Sequence, residues 1–262
     1  MPELPDVERF RVAINSTALH KKIRSVRVSE KRVLDNVSEP KLQRALKGAS
    51  FKETRRHGKY LFLQLDRGGF LVLHFGMTGD IRYYKHDSDR PEHTRMLIEF
   101  ANGYHLAWIN MRLLGRINVA REMAAFVRAR DLGPDAMEVG REQFTEAFSG
   151  RSGKLKPALM NQSIIAGLGN IYTDEILFQS RRHPESVLKR FKPDELDAIH
   201  GVMKRVLRVT VRRLGRIEEF PRTYLLPHRE KDGNCPRCGS LIRRIKVGQR
   251  TSYLCPQCQR KR

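Results

Sequence analysis

The sequence predicts an α+β fold, in which a sheet-rich first half is followed by helices and then by a short metal-bound hairpin. Two strand pairs appear in the first half, each on either side of a turn signal. KYLFLQL and FLVLHF flank Arg67-Gly68-Gly69, and RMLIEF and YHLAWI flank Asn102-Gly103. Runs of apolar residues around such turns are typical of β-hairpins. The helices and the hairpin are predicted from the second half of the chain.

The spacing of apolar residues changes after residue 140. Leu196, Ile199, Met203 and Val206 recur at about 3.6 residues, which predicts a long helix with a basic opposite face. The segment DLGPDAMEVG at 131–140 carries Gly, Pro and acidic residues and is interpreted as a linker. We therefore predict an N-terminal domain at 1–130, a linker at 131–140, a helical domain at 141–226 and a metal-binding finger at 227–262.

The charge balance indicates the class of partner. The 262 residues include 51 Lys and Arg against 29 Asp and Glu, a net charge of +22 with a pI near 10.4. Such a surplus favours an anionic polymer, and we expect nucleic acid. No apolar run approaches the roughly 20 residues needed to span a bilayer, and no signal-peptide pattern begins the chain. We expect a cytoplasmic monomer in a reducing compartment, where disulfides are rare.

The cysteines form two C-x2-C pairs separated by sixteen residues. They are Cys235, Cys238, Cys255 and Cys258. Paired knuckles of this kind bring four thiolates to one ion in a closed tetrahedral shell, which favours one structural zinc over an iron–sulfur cluster or a redox role. The intervening LIRRIKVGQRTSYL predicts a hairpin loaded with cations, including Arg250, that suits contact with phosphates.

The first residues, MPELPDVERF, allow two interpretations. Pro5 and Asp6 suit a first helical turn, and Val7, Phe10 and Ile14 follow helical spacing. Alternatively, removal of Met1 would leave Pro2 with a secondary amine beside the carboxylate of Glu3, a pair suited to carbonyl chemistry. The two interpretations are compatible.

A glycine-rich turn, Gly167-Leu168-Gly169-Asn170, lies between two predicted helices. The second helix would begin near Ile171, and its N-terminal N–H groups could bind a phosphate, with the Asn170 side chain as a further donor. An ordinary helical hairpin explains the same residues equally well.

Taken together, these segments resemble the formamidopyrimidine-DNA glycosylase and endonuclease VIII family. MPELPDVE resembles its N-terminus, HGKY its catalytic lysine loop, HFGMTG its intercalation loop, LMNQSIIAGLGNIYTDEILF its helix–two-turn–helix, and the cysteine pattern its zinc finger. The resemblance implies an N-terminal β-sandwich flanked by helices, a helical domain and the finger, with damaged double-stranded DNA in the cleft between the halves. It also implies a DNA glycosylase and AP lyase of base-excision repair.

The resemblance assigns catalytic roles to three residues. Pro2 would attack C1′ of the damaged nucleotide and form an iminium, which promotes β,δ-elimination. An α-amino group titrates near pH 8, roughly 2.5 units below a lysine, so a useful fraction is nucleophilic at pH 7. Glu3 would act as general acid and base, and Lys59 would pair with a phosphate or with Glu3.

Other roles transfer by position in the matched motifs. The phosphates around the lesion would be held by His74, Asn170 and Arg250, and Tyr172 lies just inside the second helix. Lys156 lies where the family approaches the damaged base. The gap left by the flipped base would be filled by Met77, Arg112 and Leu114.

Three features depart from the family pattern. Asp6 stands where Glu is usual, Met111-Arg112-Leu113-Leu114 replaces Pro-Arg-Arg-Phe, and only residues 217–234 join the last long helix to Cys235. Two rival interpretations also explain the net charge and the cysteines. One is a non-catalytic zinc protein that recognises damaged DNA on the same scaffold, and the other is a zinc-ribbon protein associated with RNA. A binding protein has no need of Pro2, Glu3 and Lys59, so these residues favour the enzyme.

Overall fold

A computed structural model describes residues 2–261 and divides them into two compact units, one of Pro2 with residues 6–130 and one of residues 3–5 with 131–261. The helices are α1 (Leu4–Thr17), α2 (Glu39–Leu46), α3 (Met123–Ala129), α4 (Arg141–Phe148), α5 (Leu155–Met160), α6 (Asn170–Gln179) and α7 (Pro193–Arg212). Single 3-10 turns occur at Lys31–Val33, Asp87–Asp89, Leu188–Arg190, Ile217–Glu219 and Leu226–His228.

The strands are β1 (Ile23–Val28), β2 (Phe51–His57), β3 (Tyr60–Leu65), β4 (Phe70–His74), β5 (Gly79–Tyr84), β6 (Thr94–Phe100), β7 (His105–Asn110), β8 (Arg116–Ala120), β9 (Arg243–Val247) and β10 (Arg250–Leu254). In the first unit they form two antiparallel sheets, with strand orders β1-β6-β7-β5 and β2-β3-β4-β8. Both hairpins predicted from the sequence are present, as β3–β4 and β6–β7.

One apolar core lies between the two sheets of the first unit. Ile98 and Trp108 from one sheet and Leu63 and Leu73 from the other belong to the same buried cluster. Side chains that alternate between the faces of two facing sheets form the core of a sandwich. Helix α1 adds its apolar stripe, including Phe10, to this cluster. The α+β class and the N-terminal β-sandwich are thus confirmed.

The second unit is helical, and α7 provides its longest apolar face. Leu196, Ile199, Met203 and Val206 are all buried, as their spacing predicts. The helix begins at Pro193, whose fixed φ suits a first turn. Among the described residues, no helix is long and apolar enough to cross a membrane.

Two segments without long helices or strands pack into the second unit. In 131–140, Ala136 and Val139 are buried in the helical core, and Asp135 caps its own turn by accepting from Met137 N at 2.8 Å. In 217–234, Phe220 and Leu226 are buried in the same cluster. Both segments are therefore parts of the helical core in this unit.

Candidate active site and nucleic-acid interface

The carboxylate of Glu3 lies at the N-terminus of helix α6. The backbone N–H groups of Gly169, Ile171 and Tyr172 donate to its two oxygens at 2.9, 2.8 and 3.2 Å. The first N–H groups of a helix have no partner within the helix, and a negative charge there is stabilised by the helix dipole. Because Glu3 is fully buried, its position is fixed by these bonds.

Gly169 is a glycine because Glu3 approaches it closely. A Cβ atom at this residue would lie 2.3 Å from the Glu3 carboxyl carbon, a distance that no side chain tolerates. The helix N-terminus predicted as a phosphate site is therefore occupied by a carboxylate of the chain itself. The Asn170 side chain also lies at this helix N-terminus. It is half-buried, and its Oδ1 has no hydrogen-bond partner among the described residues.

Pro2 is half-buried and immediately precedes Glu3 in the chain. Helix α1 begins two residues later, at Leu4, which confirms the structural interpretation of MPELPDVERF. The catalytic interpretation requires removal of Met1, which lies outside the described residues.

Lys59 occupies the two-residue turn between β2 and β3. Gly58, the other turn residue, has φ 55°, a left-handed conformation that glycine adopts without strain. Arg56 braces this turn, since its Nη1 donates to the Gly58 carbonyl at 3.1 Å and its Nε lies 3.3 Å from a Glu8 oxygen. Turn and brace together hold the half-buried lysine on the sandwich. This role of Arg56 was not predicted from the sequence.

His74, at the end of β4, is held as a neutral ring. Burial and, to a smaller extent, the nearby positive charges of Lys59 and Arg116 together lower its pKa to about 4. Its ring stacks obliquely on Tyr60, its cross-strand partner, with 4.8 Å between centroids. The Gly76 N–H points at Nδ1 from 3.4 Å. The neutral tautomer that accepts at Nδ1 carries its proton on Nε2 and is a hydrogen-bond donor there.

The three residues expected to fill the gap of a flipped base lie on two loops that touch. Met77 follows β4, and Arg112 and Leu114 follow β7. The Arg112 N–H donates to Thr78 Oγ1 at 3.1 Å, which joins the loops. Leu114 is 42% exposed and Met111 52% exposed, so this surface presents apolar side chains to solvent.

A buried amide that the sequence did not reveal ties these loops to the sandwich. Asn110 donates to the Phe75 carbonyl at 3.0 Å and accepts from Gly115 N at 3.1 Å. A Cβ at Gly76 would lie 2.4 Å from the Leu114 carbonyl carbon, so the backbones of the two loops are in contact. Asn110 directly follows the apolar run at 106–109 of β7, and that change of residue type is the signal that could have found it.

Lys156 is buried, and its ammonium group has internal partners. Its Nζ lies 2.6 Å from Asp174 Oδ1 and 3.2 Å from the Thr251 carbonyl. Burial lowers the pKa of Lys156, and the Asp174 carboxylate opposes that shift. Arg229 also pairs with Asp174, with 2.8 Å between Nη2 and Oδ2. The side chain expected near the damaged base therefore lies inside the second unit in this structure.

The other predicted DNA-binding residues differ in exposure. Tyr172 is buried in the helical core with its ring 6.4 Å from that of Phe220. Arg250 is exposed at the start of β10, opposite Val247 in the two-stranded sheet with β9. Of these two, only Arg250 presents its side chain to a partner in solution.

The four cysteines form one structural zinc site. Their sulfurs all lie within 4.8 Å of one another, with Cys235 and Cys258 at 3.9 Å and Cys238 and Cys255 at 3.5 Å. Zinc–sulfur bonds of about 2.3 Å in a tetrahedral shell separate sulfurs by about 3.8 Å, so these residues fit the ion. The thiolates fill its coordination sphere, which makes the zinc structural and confirms the metal prediction.

Comparisons with known proteins cover the whole chain. The formamidopyrimidine-DNA glycosylase N-terminal domain matches residues 1–117, the H2TH domain of the same proteins 132–220, and the zinc finger found in FPG and IleRS 234–260. Formamidopyrimidine-DNA glycosylases of Pelotomaculum thermopropionicum and Symbiobacterium thermophilum are 32% and 31% identical, covering 99% of this chain and 99% and 89% of theirs.

Solved structures agree with these sequence matches. The Lactococcus lactis formamidopyrimidine-DNA glycosylase bound non-covalently to DNA containing an AP site has a TM-score of 0.91 and 27% identity, covering 99% of this chain and 100% of that one. A structure of MutM with DNA containing carbocyclic 8-oxo-G has a TM-score of 0.90 with the same identity and coverage. The chain belongs to the formamidopyrimidine-DNA glycosylase family of base-excision repair enzymes.

Proposed function

We propose that this chain is a bifunctional DNA glycosylase and AP lyase that excises oxidised bases from double-stranded DNA through an iminium on Pro2. The observation that carries this proposal is the carboxylate of Glu3, which is buried and fixed by the N–H groups of Gly169, Ile171 and Tyr172. A general acid and base must be held in position to be effective. The residue that follows the candidate nucleophile meets this requirement.

The first stage replaces the base by the enzyme. With Met1 removed, the neutral Pro2 nitrogen attacks C1′ and loses its N–H proton, and the bond from C1′ to the base breaks as the base takes up a proton. The C1′–O4′ bond then opens with a proton to O4′, which leaves a C1′=N⁺ iminium. Glu3 supplies and receives these protons beside the sugar.

The second stage cleaves the strand. The iminium withdraws electrons, so a base removes the 2′ proton and the 3′ phosphate leaves with the C3′–O bonding pair. A second elimination along the conjugated chain releases the 5′ phosphate, and water then hydrolyses the iminium to free Pro2. Lys59 supports both departures by pairing with a phosphate.

Polar and apolar residues supply the contacts with DNA. The net charge of +22 attracts the duplex, and phosphates around the lesion pair with His74, Asn170 and Arg250. The space left by the flipped base is filled by Met77, Arg112 and Leu114. The Lactococcus lactis relative is described in complex with AP-site DNA, which supports the same partner for this chain as a monomer.

The choice of lesion follows from two of the departures from the family pattern, Leu114 and the short connection 217–234. Leu114 stands where the family has an aromatic residue, and leucine lacks the π-face that stacks on a base. The connection 217–234 is anchored on α6, since Leu226 N donates to Glu175 at 2.9 Å. We infer strong action on abasic sites and formamidopyrimidines, whose pairing is already weak. Action on well-stacked 8-oxoguanine is weaker, and some oxidised pyrimidines are accepted.

Borohydride trapping on abasic-site duplex tests the enzyme function. Reduction of the iminium should join the wild-type protein covalently to DNA, and Pro2→Gly should lose most of the adduct. Pro91→Gly, in a loop of the first unit, is the matched control and should trap as the wild type does. The proposal fails if no adduct forms, or if Pro2→Gly traps as fast as the wild type. The non-catalytic damaged-DNA-binding protein predicts the first of these results.

A further inference from the structure

The carboxylate of Asp174 is the centre of a buried polar network in the second unit. Among the described residues, its Oδ1 accepts from Lys156 Nζ at 2.6 Å and from Ser252 Oγ at 2.7 Å. Its Oδ2 accepts from the Arg229 guanidinium at 2.8 and 3.0 Å and from Tyr253 N at 3.2 Å. One side chain of α6 thereby joins α5, the 217–234 connection and β10.

The partners on β10 are close neighbours of Arg250, one of the exposed cations of the zinc-finger hairpin. Ser252 and Tyr253 bind Asp174 directly, and the Thr251 carbonyl accepts from Lys156 at 3.2 Å. Arg229 also covers the Tyr253 ring, with 4.5 Å from its Cζ to the ring centroid. The three residues that follow Arg250 are thus all held by this network.

Burial makes the network sensitive to the loss of any charge. The Lys156 and Asp174 side chains are almost wholly inaccessible, at 1% and 0% exposed. An ion pair removed from water adds little net stability over apolar packing, but loss of one partner leaves an uncompensated charge. A fully satisfied network of this kind serves to specify one geometry. Here the geometry specified is the orientation of the hairpin.

We propose that Asp174 is a positioning residue that sets the DNA-binding hairpin, and that Lys156 serves DNA binding through Asp174 rather than by contact with the damaged base. The inference rests on the proposed function in one respect, that Arg250 binds a DNA phosphate. The inference adds to that function the residues that position Arg250.

Asp174→Asn tests the positioning role, because the amide keeps the shape and loses the charge. The measurement is the dissociation constant for a duplex with an uncleavable abasic-site analogue over a series of salt concentrations. Loss of one phosphate contact weakens binding about tenfold near 0.1 M salt and flattens the slope by about one charge. We expect Asp174→Asn to show this loss with zinc retained, as Arg250→Ala does.

A double-variant cycle separates positioning from general damage to the fold. Once Arg250→Ala has removed the contact, Asp174→Asn should add no further loss of affinity. Ile199→Val, a buried change in α7, should leave both affinity and salt slope unchanged. If Asp174→Asn does not fold, Ser252→Ala removes one bond to the same carboxylate and should flatten the slope partially. Full additivity, or a zinc-loaded Asp174→Asn or Ser252→Ala with the wild-type slope, overturns the proposal.

Lys156→Met distinguishes the two roles of the lysine. If Lys156 positions the hairpin, the variant should bind undamaged and abasic-analogue duplexes more weakly, by the same factor. Contact with the damaged base predicts unchanged affinity for both and slower base excision alone, which would overturn the proposal. These binding assays involve no reaction at Pro2, so their outcome is independent of the trapping experiment.

Discussion

The two units place their unusual residues in opposite ways. The first unit exposes apolar side chains, Met111 and Leu114, on the loop that joins β7 to β8. The second unit buries charged ones, and Glu3, Lys156 and Asp174 are all inaccessible to solvent. Exposed apolar groups and buried charges both cost free energy in a protein without a binding partner, so each arrangement indicates a functional or binding role.

On the proposed function, the difference follows from the part that each group of residues plays in DNA binding and catalysis. A side chain that takes the place of a flipped base must give up contact with water and gain contact with bases, which suits an exposed apolar group. A group that protonates a sugar or aims a cation must not move, and burial with several hydrogen bonds fixes it. The proposed function therefore accounts both for apolar residues that are exposed and for charged residues that are buried.

The largest expected effect comes from the zinc site. Cys238→Ser removes one of the four thiolates, so the finger should lose its metal, unfold, and cease to bind duplex DNA. Zinc content and DNA affinity of the purified variant check this. A variant without zinc that binds DNA as tightly as the wild type would show that the finger is not needed for DNA binding.

Removal of the buried charge at Glu3 should have the next largest effect. Glu3→Gln loses the acid and base and turns an amide toward the N–H donors of Gly169, Ile171 and Tyr172. General acid–base catalysis contributes about 10²–10⁴ in rate, and base excision should fall by that order. Strand cleavage at a preformed abasic site, whose sugar opens unaided, should fall less. Single-turnover rates of the variant on both substrates measure these losses. Equal losses of base excision and of strand cleavage would contradict the role of Glu3 at the sugar.

A substitution at the exposed apolar residue Leu114 should increase activity rather than reduce it. Leu114→Phe restores a π-face, and base–aromatic stacking contributes about 1–3 kcal/mol. Excision of 8-oxoguanine should therefore rise several-fold while abasic-site cleavage stays constant. If 8-oxoguanine opposite cytosine is already the fastest base substrate and the variant changes nothing, the inference about lesion choice is wrong.

The smallest effect concerns His74 and pH. Its folded pKa of about 4 lies below the ordinary 6.5, so the folded state takes up its proton later than the unfolded state as pH falls. The resulting stabilisation of the folded state is fully present well above pH 6.5 and is lost as the pH falls from 6.5 to 4, with about 2 kcal/mol lost by pH 5. Urea unfolding of wild type and His74→Gln should converge over this window. A constant difference would show that the ring is not buried as a neutral group.

Much of the fold could be predicted because local patterns determine it. The turns at Gly68-Gly69 and Asn102-Gly103, the period of α7 and the cysteine spacing each depend on neighbouring residues. The identity of the anion at the start of α6 could not be predicted, since Glu3 lies 166 residues before Gly169. Nor could the partners of Lys156, because nothing in the residues around Asp174 shows which distant side chains it contacts. Contacts distant in sequence have no local signature.

On the proposed function, Pro2 is the residue that becomes covalently bound to DNA. Borohydride reduction on an abasic-site duplex, nuclease digestion of the DNA, and mass spectrometry of the proteolysed protein measure this directly. We expect a sugar remnant on an N-terminal peptide that begins at Pro2 and lacks Met1. A remnant on Lys59 or another lysine, or a trapped protein that retains Met1, would contradict it.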